Sequence, residues 1–261
     1  MKYTKARLWL FAVMVMLQGF SGVAMAGLVD MPDVEVAVVI GGSLQNGQPE
    51  ESGPQAGVWY LGGFYKTWVD HIATLTDKRY HWLNYAKAGA VSSNGVGQIE
   101  MAIRHTTWPD ADGVARPHVK TLVLSYWGNT FLWRPFSQTA INVMINDMTA
   151  QINTAKMNGV ERIVIMGMPR YEDMDLDRFL QIFPIPTHID QTGYEEVRRQ
   201  YYAAFSAPNP DYVFVDSWCQ YDTLDGLHAN YDSSSKAAAK VLAALNSYSS
   251  QIGKHSFVTC Q

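Results

Sequence analysis

The fold turns on "VEVAVVIGGSLQNG", Val34 to Gly47. An apolar run rich in β-branched residues halts at two glycines, and a serine follows at once. A short apolar run bounded by a turn signal reads as a strand buried on both faces. Taken alone, Gly41-Gly42-Ser43 is a tight turn, since glycine and serine are ordinary turn residues. The surrounding chain decides whether Ser43 is more than that.

Further strand candidates follow at residues 80–89 ("YHWLNYAKAG"), 119–126 ("VKTLVLSY"), 161–168 ("ERIVIMGM") and 211–216 ("DYVFVD"). Helical patterns alternate with them near residues 57–75, 95–106, 138–158, 190–206 and 232–249. In 138–158 the apolar positions Ile141, Met144, Ile145, Met148, Ile152 and Ala155 recur three or four apart, and Asn158-Gly159 supplies a stop. The last pattern has "DSSS" as an N-cap cluster before "KAAAKVLAAL". Strands alternating with helices predict a three-layer α/β/α fold around a central, mostly five-stranded parallel sheet. Ligands of such sheets bind at the C-terminal ends of the strands. Ser43 follows the C-terminal end of the first.

The 261-residue chain is 48% hydrophobic, enough for a core, and carries no repeat or linker that would divide it. Its net charge of −4, with no Lys/Arg cluster, argues against a nucleic-acid partner. Lys2, Lys5 and Arg7 precede the apolar run "LWLFAVMVML", and "AMA" ends at Ala26. That pattern reads as a signal peptide over residues 1–26, leaving a single domain at 27–261 that is exported, periplasmic or secreted, with no membrane span. Cys219 and Cys260 are the only cysteines. In an oxidising compartment they are a candidate disulfide, worth about 3–4 kcal/mol if formed.

No G-x-S-x-G elbow, P-loop, H-E-x-x-H or dinucleotide fingerprint occurs. The histidines other than His228 are scattered, and "RYEDMDLDR" (170–178) reads as a solvated loop. The expectation is no metal and no cofactor.

A serine nucleophile needs a base, a group that orients the base, and donors for the oxyanion. In "DTLDGLHANYD" (222–232), Asp225 and His228 lie three apart in a glycine-containing loop before the last helix. A turn there brings the carboxylate to one imidazole nitrogen and leaves the other for a serine. Gly89, after the second strand, can present a backbone N–H to a ligand. Asn129, after the third, can offer its amide. Tyr126, Trp127, Phe131 and Trp133 cluster beside it, and Trp127 with Phe131 are candidates for an apolar or sugar-stacking pocket wall.

The order Ser43, Gly89, Asn129, Asp225/His228 resembles the SGNH (GDSL-type) hydrolase superfamily across roughly residues 34–245. Its blocks match here as "IGGSL", "AKAGAVSS", "YWGNT" and "DGLH". The resemblance implies a flavodoxin-like sheet and Ser43 as nucleophile, with His228 as general base and Asp225 orienting it. Ser43, Gly89 and Asn129 would form the oxyanion hole. It implies an exported serine hydrolase cleaving a small-molecule, lipid or glycan ester through an acyl-serine intermediate, an esterase, lipase or carbohydrate O-deacylase. Activity should fall in acid as His228 protonates.

The chain departs from the family pattern at Gly42, where aspartate is usual, and at Trp127, where glycine is usual. Thr130 stands in place of a second aspartate and Ala229 in place of a proline. These departures motivate the alternative of a catalytically inactive relative that binds a glycan or lipid. A third reading is a phosphate-binding module at the Gly-Gly-Ser loop.

Overall fold

The computed structural model describes residues 34–46, 67–76, 79–132, 136–182, 184, 190–218 and 220–254. Within the unit Glu35–Gln261 the described chain begins with strand β1 (Glu35–Ile40) and the short helix α1 (Ser43–Asn46). Helix α2 (Trp68–Leu75), strand β2 (Tyr80–Asn84), helix α3 (Gly95–His105) and the strands β3 (Thr107–Pro109), β4 (Ala115–Pro117) and β5 (Val119–Leu124) follow. Then come α4 (Asn129–Leu132), α5 (Gln138–Met157), β6 (Arg162–Met166), α6 (Leu176–Ile182) and α7 (Gln191–Phe205). The series closes with β7 (Val213–Val215), α8 (Tyr231–Asn246) and α9 (Tyr248–Gln251).

Five strands form one parallel sheet in the order β2-β1-β5-β6-β7. Val36 to Ile40 are all buried, as are Leu122 to Leu124 and Ile163 to Met166. Strands this apolar on both faces need a helical layer on each. Helices α2 and α8 pack on one another, and α8 lies on β6 and β7; α3 packs on β1 and α5, and α5 on α7. The result is the expected three-layer α/β/α architecture. Among the described residues no helix is long and apolar enough to cross a membrane.

Local chemistry sets the boundaries. Helix α2 starts at Thr67, whose hydroxyl accepts from Val69 N–H while Asp70 reaches back to the Thr67 N–H in a capping box. Residues 57–66 of that expected helix lie outside the described residues. Strand β2 stops at Asn84 rather than running to 89, because the Asn84 side chain accepts from Ala86 N–H (3.0 Å) and turns the chain. Helix α8 is capped by Asn230, accepting from Ser233 N–H at 2.9 Å, so the "DSSS" residues sit inside the first turn. Strands β3 and β4 form a separate antiparallel hairpin that the sequence reading did not anticipate. Pro109 and Pro117 close its two ends, and proline within a run argues against a strand. Its turn is held by Gly113, at φ 78°, and by Arg116 bonded to Asp110 and Asp112.

Candidate active site

Strand β1 ends in a backbone conformation that side chains rarely adopt. Gly41 has φ 149°, a conformation that needs glycine, and its carbonyl still accepts from Lys87 N–H (3.0 Å) beyond the end of β2. A Cβ on Gly42 would stand 3.0 Å from the Asn129 amide nitrogen. The two glycines thus turn the chain in a space with little room for side chains, and Ser43 emerges as the first residue of α1.

The loop before α8 comes to meet it. His228 Nε2 lies 2.9 Å from Ser43 Oγ, and His228 Nδ1 lies 2.7 Å from Asp225 Oδ2. Asp225 Oδ1 accepts from His228 N–H (2.7 Å) and Leu227 N–H (3.0 Å). Both side chains are buried, His228 at 2% exposure and Asp225 at 4%. Burial pushes the Asp225 carboxyl up, but the hydrogen bonds and charge of His228, with the two backbone donors, outweigh it and hold it below its ordinary value. An ionised carboxylate can only accept. The proton between them therefore sits on Nδ1, and Nε2 presents a lone pair to the serine hydroxyl.

The turn that makes this possible contains Gly226 at φ 101°, where an added Cβ would overlap the Asp175 carbonyl and Phe179 N–H. Gly226 C=O accepts from Asp175 N–H (2.8 Å), Leu224 N–H donates to His228 C=O (2.7 Å), and Tyr221 Oη bonds Leu227 C=O. The Phe179 ring meets the imidazole edge-on at 6.0 Å. Residues 170–178, expected as a solvated loop, thus include part of this support. Arg170 grips Asp173 through two bonds of 2.9 and 2.6 Å, and α6 begins at Leu176.

Gly89 adopts φ 74°, the left-handed turn conformation, and is exposed. Its neighbour Ala90 accepts from the Asn129 amide at 3.1 Å, and a second amide hydrogen remains on that nitrogen. The loops bearing Gly89 and Asn129 are joined beneath the surface. Ser92 N–H donates to Thr130 Oγ1 (3.0 Å), Ser92 Oγ to Asp147 (2.6 Å), and the buried Gln151 amide bridges Ser92 C=O (2.9 Å) and Trp127 Nε1 (3.2 Å).

Beside Ser43 lies a cleft of about 500 Å³, open solvent included, lined by Ser43, Leu44, Tyr126, Met174, Tyr194 and Leu227 among others. The expected wall residues Trp127 and Phe131 are elsewhere. Their exposures are 0% and 2%, and both belong to the hydrophobic core. The Trp127 indole is anchored by Gln151 on α5, which turns it inward under the sheet edge instead of out to the cleft. Tyr126 is the member of that aromatic group that lines the cleft, while Trp133 lies outside the described residues. Burial raises the phenols of Tyr126 and Tyr194, and Tyr194 Oη donates to Pro169 C=O at 3.0 Å. Met174, Leu227, Gln98 and Gln151 were not anticipated. A lone glutamine or methionine on a helix or loop has no spacing signal that separates it from ordinary surface or core. The Cys219–Cys260 pair falls outside the described residues.

No protein-family model and no curated protein sequence matches the chain. Solved structures do resemble it. A carbohydrate acetylesterase from Sinorhizobium meliloti superposes with a TM-score of 0.54 at 13% identity, over 82% of this chain and 99% of that one. An aryl esterase from M. smegmatis gives 0.54 at 12% identity, covering 82% and 99%. A GDSL-like lipase from Parabacteroides merdae gives 0.52 at 13% identity, covering 84% and 98%. The likeness is one of fold: these proteins share the three-layer α/β/α arrangement expected from the sequence.

Proposed function

We propose that the chain is a serine hydrolase that cleaves carboxylic esters through an acyl-serine intermediate. One observation carries this reading: a buried carboxylate, an imidazole and a serine hydroxyl in line, at 2.7 and 2.9 Å. Ser43 Oγ attacks the ester carbonyl and its proton passes to His228 Nε2. The carbonyl oxygen becomes an oxyanion, for which the Ser43 and Gly89 N–H groups and the Asn129 amide are the donors. Collapse of the adduct breaks the bond to the alcohol, which takes the proton from Nε2. Water then enters by the same route and releases the acid and free Ser43.

Two of the four departures from the family pattern, Trp127 and Thr130, are built into the structure around the site, which favours chemistry over an inactive binder. Trp127 is a core residue bonded to Gln151, and Thr130 accepts the Ser92 N–H. The cleft supports an apolar acyl group. Leu44, Met174 and Leu227 line it, and the Tyr194 hydroxyl is already engaged. Proteins of the same fold are named as a carbohydrate acetylesterase, an aryl esterase and a GDSL-like lipase, so the choice of ester is argued from the cleft and not from the fold. We also propose export after removal of residues 1–26, on the basic start, apolar run and Ala24–Ala26.

The test is intact-mass analysis of the 27–261 chain after treatment with a fluorophosphonate. The parent should gain a single adduct, Ser43→Ala none, and His228→Ala should react far more slowly. A folded parent that gains no adduct refutes the proposal.

A further inference from the structure

The turn that displays Ser43 has no side chain of its own with which to hold its shape. Gly41 sits at φ 149°, and the Gly42 Cβ position is only 3.0 Å from the Asn129 amide. Any anchor must come from outside. Gln98, on α3, supplies it: its Oε1 accepts from Gly41 N–H at 2.9 Å and its Nε2 donates to Gly41 C=O at 3.1 Å. Both backbone groups of one residue are held by one planar amide, two positions before the nucleophile. With the Lys87 N–H also on that carbonyl, the peptide joining Gly41 to Gly42 is fixed in direction.

Gln98 is itself tightly placed. Helix α3 begins at Gly95, where no side chain fits because the Gln151 amide fills the space, and Gln151 also holds Ser92 C=O. The loop that carries Gly89 runs directly into this helix. A shift of α3 would therefore move the Gly89 loop and the Gly41 peptide together, and the spacing between two oxyanion donors is preserved by the helix connecting them.

We propose that Gln98 is a positioning residue for the nucleophile turn, acting through Gly41 to align the Ser43 Oγ and N–H with the donors at Gly89 and Asn129. The proposal rests on the acyl-serine reading above. It differs from a purely stabilising role in what it affects. A clamp that aligns reacting groups acts on the transition state, so its loss lowers kcat and leaves substrate binding nearly intact.

The experiment compares the parent, Gln98→Leu and Gln98→Glu for fluorophosphonate inactivation rate and for kcat and KM on a p-nitrophenyl acyl ester, with thermal midpoints recorded. Gln98→Leu removes both bonds, and misplacement of this kind costs on the order of 10- to 100-fold in kcat with KM changed less than about threefold. Gln98→Glu keeps the acceptor for Gly41 N–H and should fall between the two. Inactivation rates should follow kcat. If the leucine variant fails to fold, the glutamate variant decides alone: a lowered kcat at parental KM supports the clamp. Parental kcat in the folded variants, or a loss confined to KM, overturns it. An unreactive parent overturns the clamp together with the reading it rests on.

Discussion

Asp225 accepts three hydrogen bonds, from His228 Nδ1 and from the N–H groups of Leu227 and His228. A carboxylate so placed does two things at once: it shapes the turn and selects the imidazole tautomer. Asp225→Asn preserves the size but offers an N–H where His228 Nδ1 needs an acceptor. Turnover should fall on the order of 10³- to 10⁴-fold, measured as kcat on the same ester. The same carboxylate carries a pH signature. Its folded state holds a proton less tightly than the unfolded chain does, where aspartate titrates at about 3.9. The stability it lends is complete above that value and drains as pH falls through the lower folded value. The gap in unfolding free energy between parent and Asp225→Asn should narrow on acidification below about pH 4. Denaturant titrations at several pH values would reveal a constant gap if this account were mistaken.

At the scale of elements, the site depends on buried amides that bind loops to helices. Gln151, wholly buried on α5, joins Ser92 and Trp127, and so ties the Gly89 loop to the Asn129 loop. Gln151→Leu leaves the Trp127 N–H and the Ser92 carbonyl without partners, at about 1–3 kcal/mol each. A lowered thermal midpoint with reduced kcat is the expected result, and parental values for both would contradict it. These ties also explain what could be read in advance. The strands at 34–41, 119–126 and 161–168 are legible because burial on both faces demands nearly unbroken apolar runs. Ser43, Asp225 and His228 are legible because they follow strands or precede a helix in a fixed order. Gln98 and Gln151 are not, since an amide on a helix looks alike whether it faces water or a backbone far along the chain. Trp127 misleads for the converse reason: a large aromatic beside a site can point into the core as readily as into the cleft. The β3–β4 hairpin hides behind its prolines.

On the scale of the whole molecule, export and oxidation make a joined prediction. Protein recovered from outside the cytoplasm should begin at Gly27 by N-terminal sequencing and gain the mass of two hydrogens on reduction, as Cys219 and Cys260 open. A start at Met1 or an unchanged mass would remove the corresponding proposal. The sheet order has a different consequence. Ser43 is rooted in β1, an interior strand paired on both sides, whereas Asp225 and His228 arrive on a loop leaving β7, an edge strand three places away. That loop is fastened by its own short bonds, by Asp175 on Gly226, and by the burial of Tyr221, Asp225, His228 and Ala229. Nucleophile and base are thus hung on different strands with β5 and β6 between them, so the 2.9 Å contact that joins them reports on the register of the whole sheet.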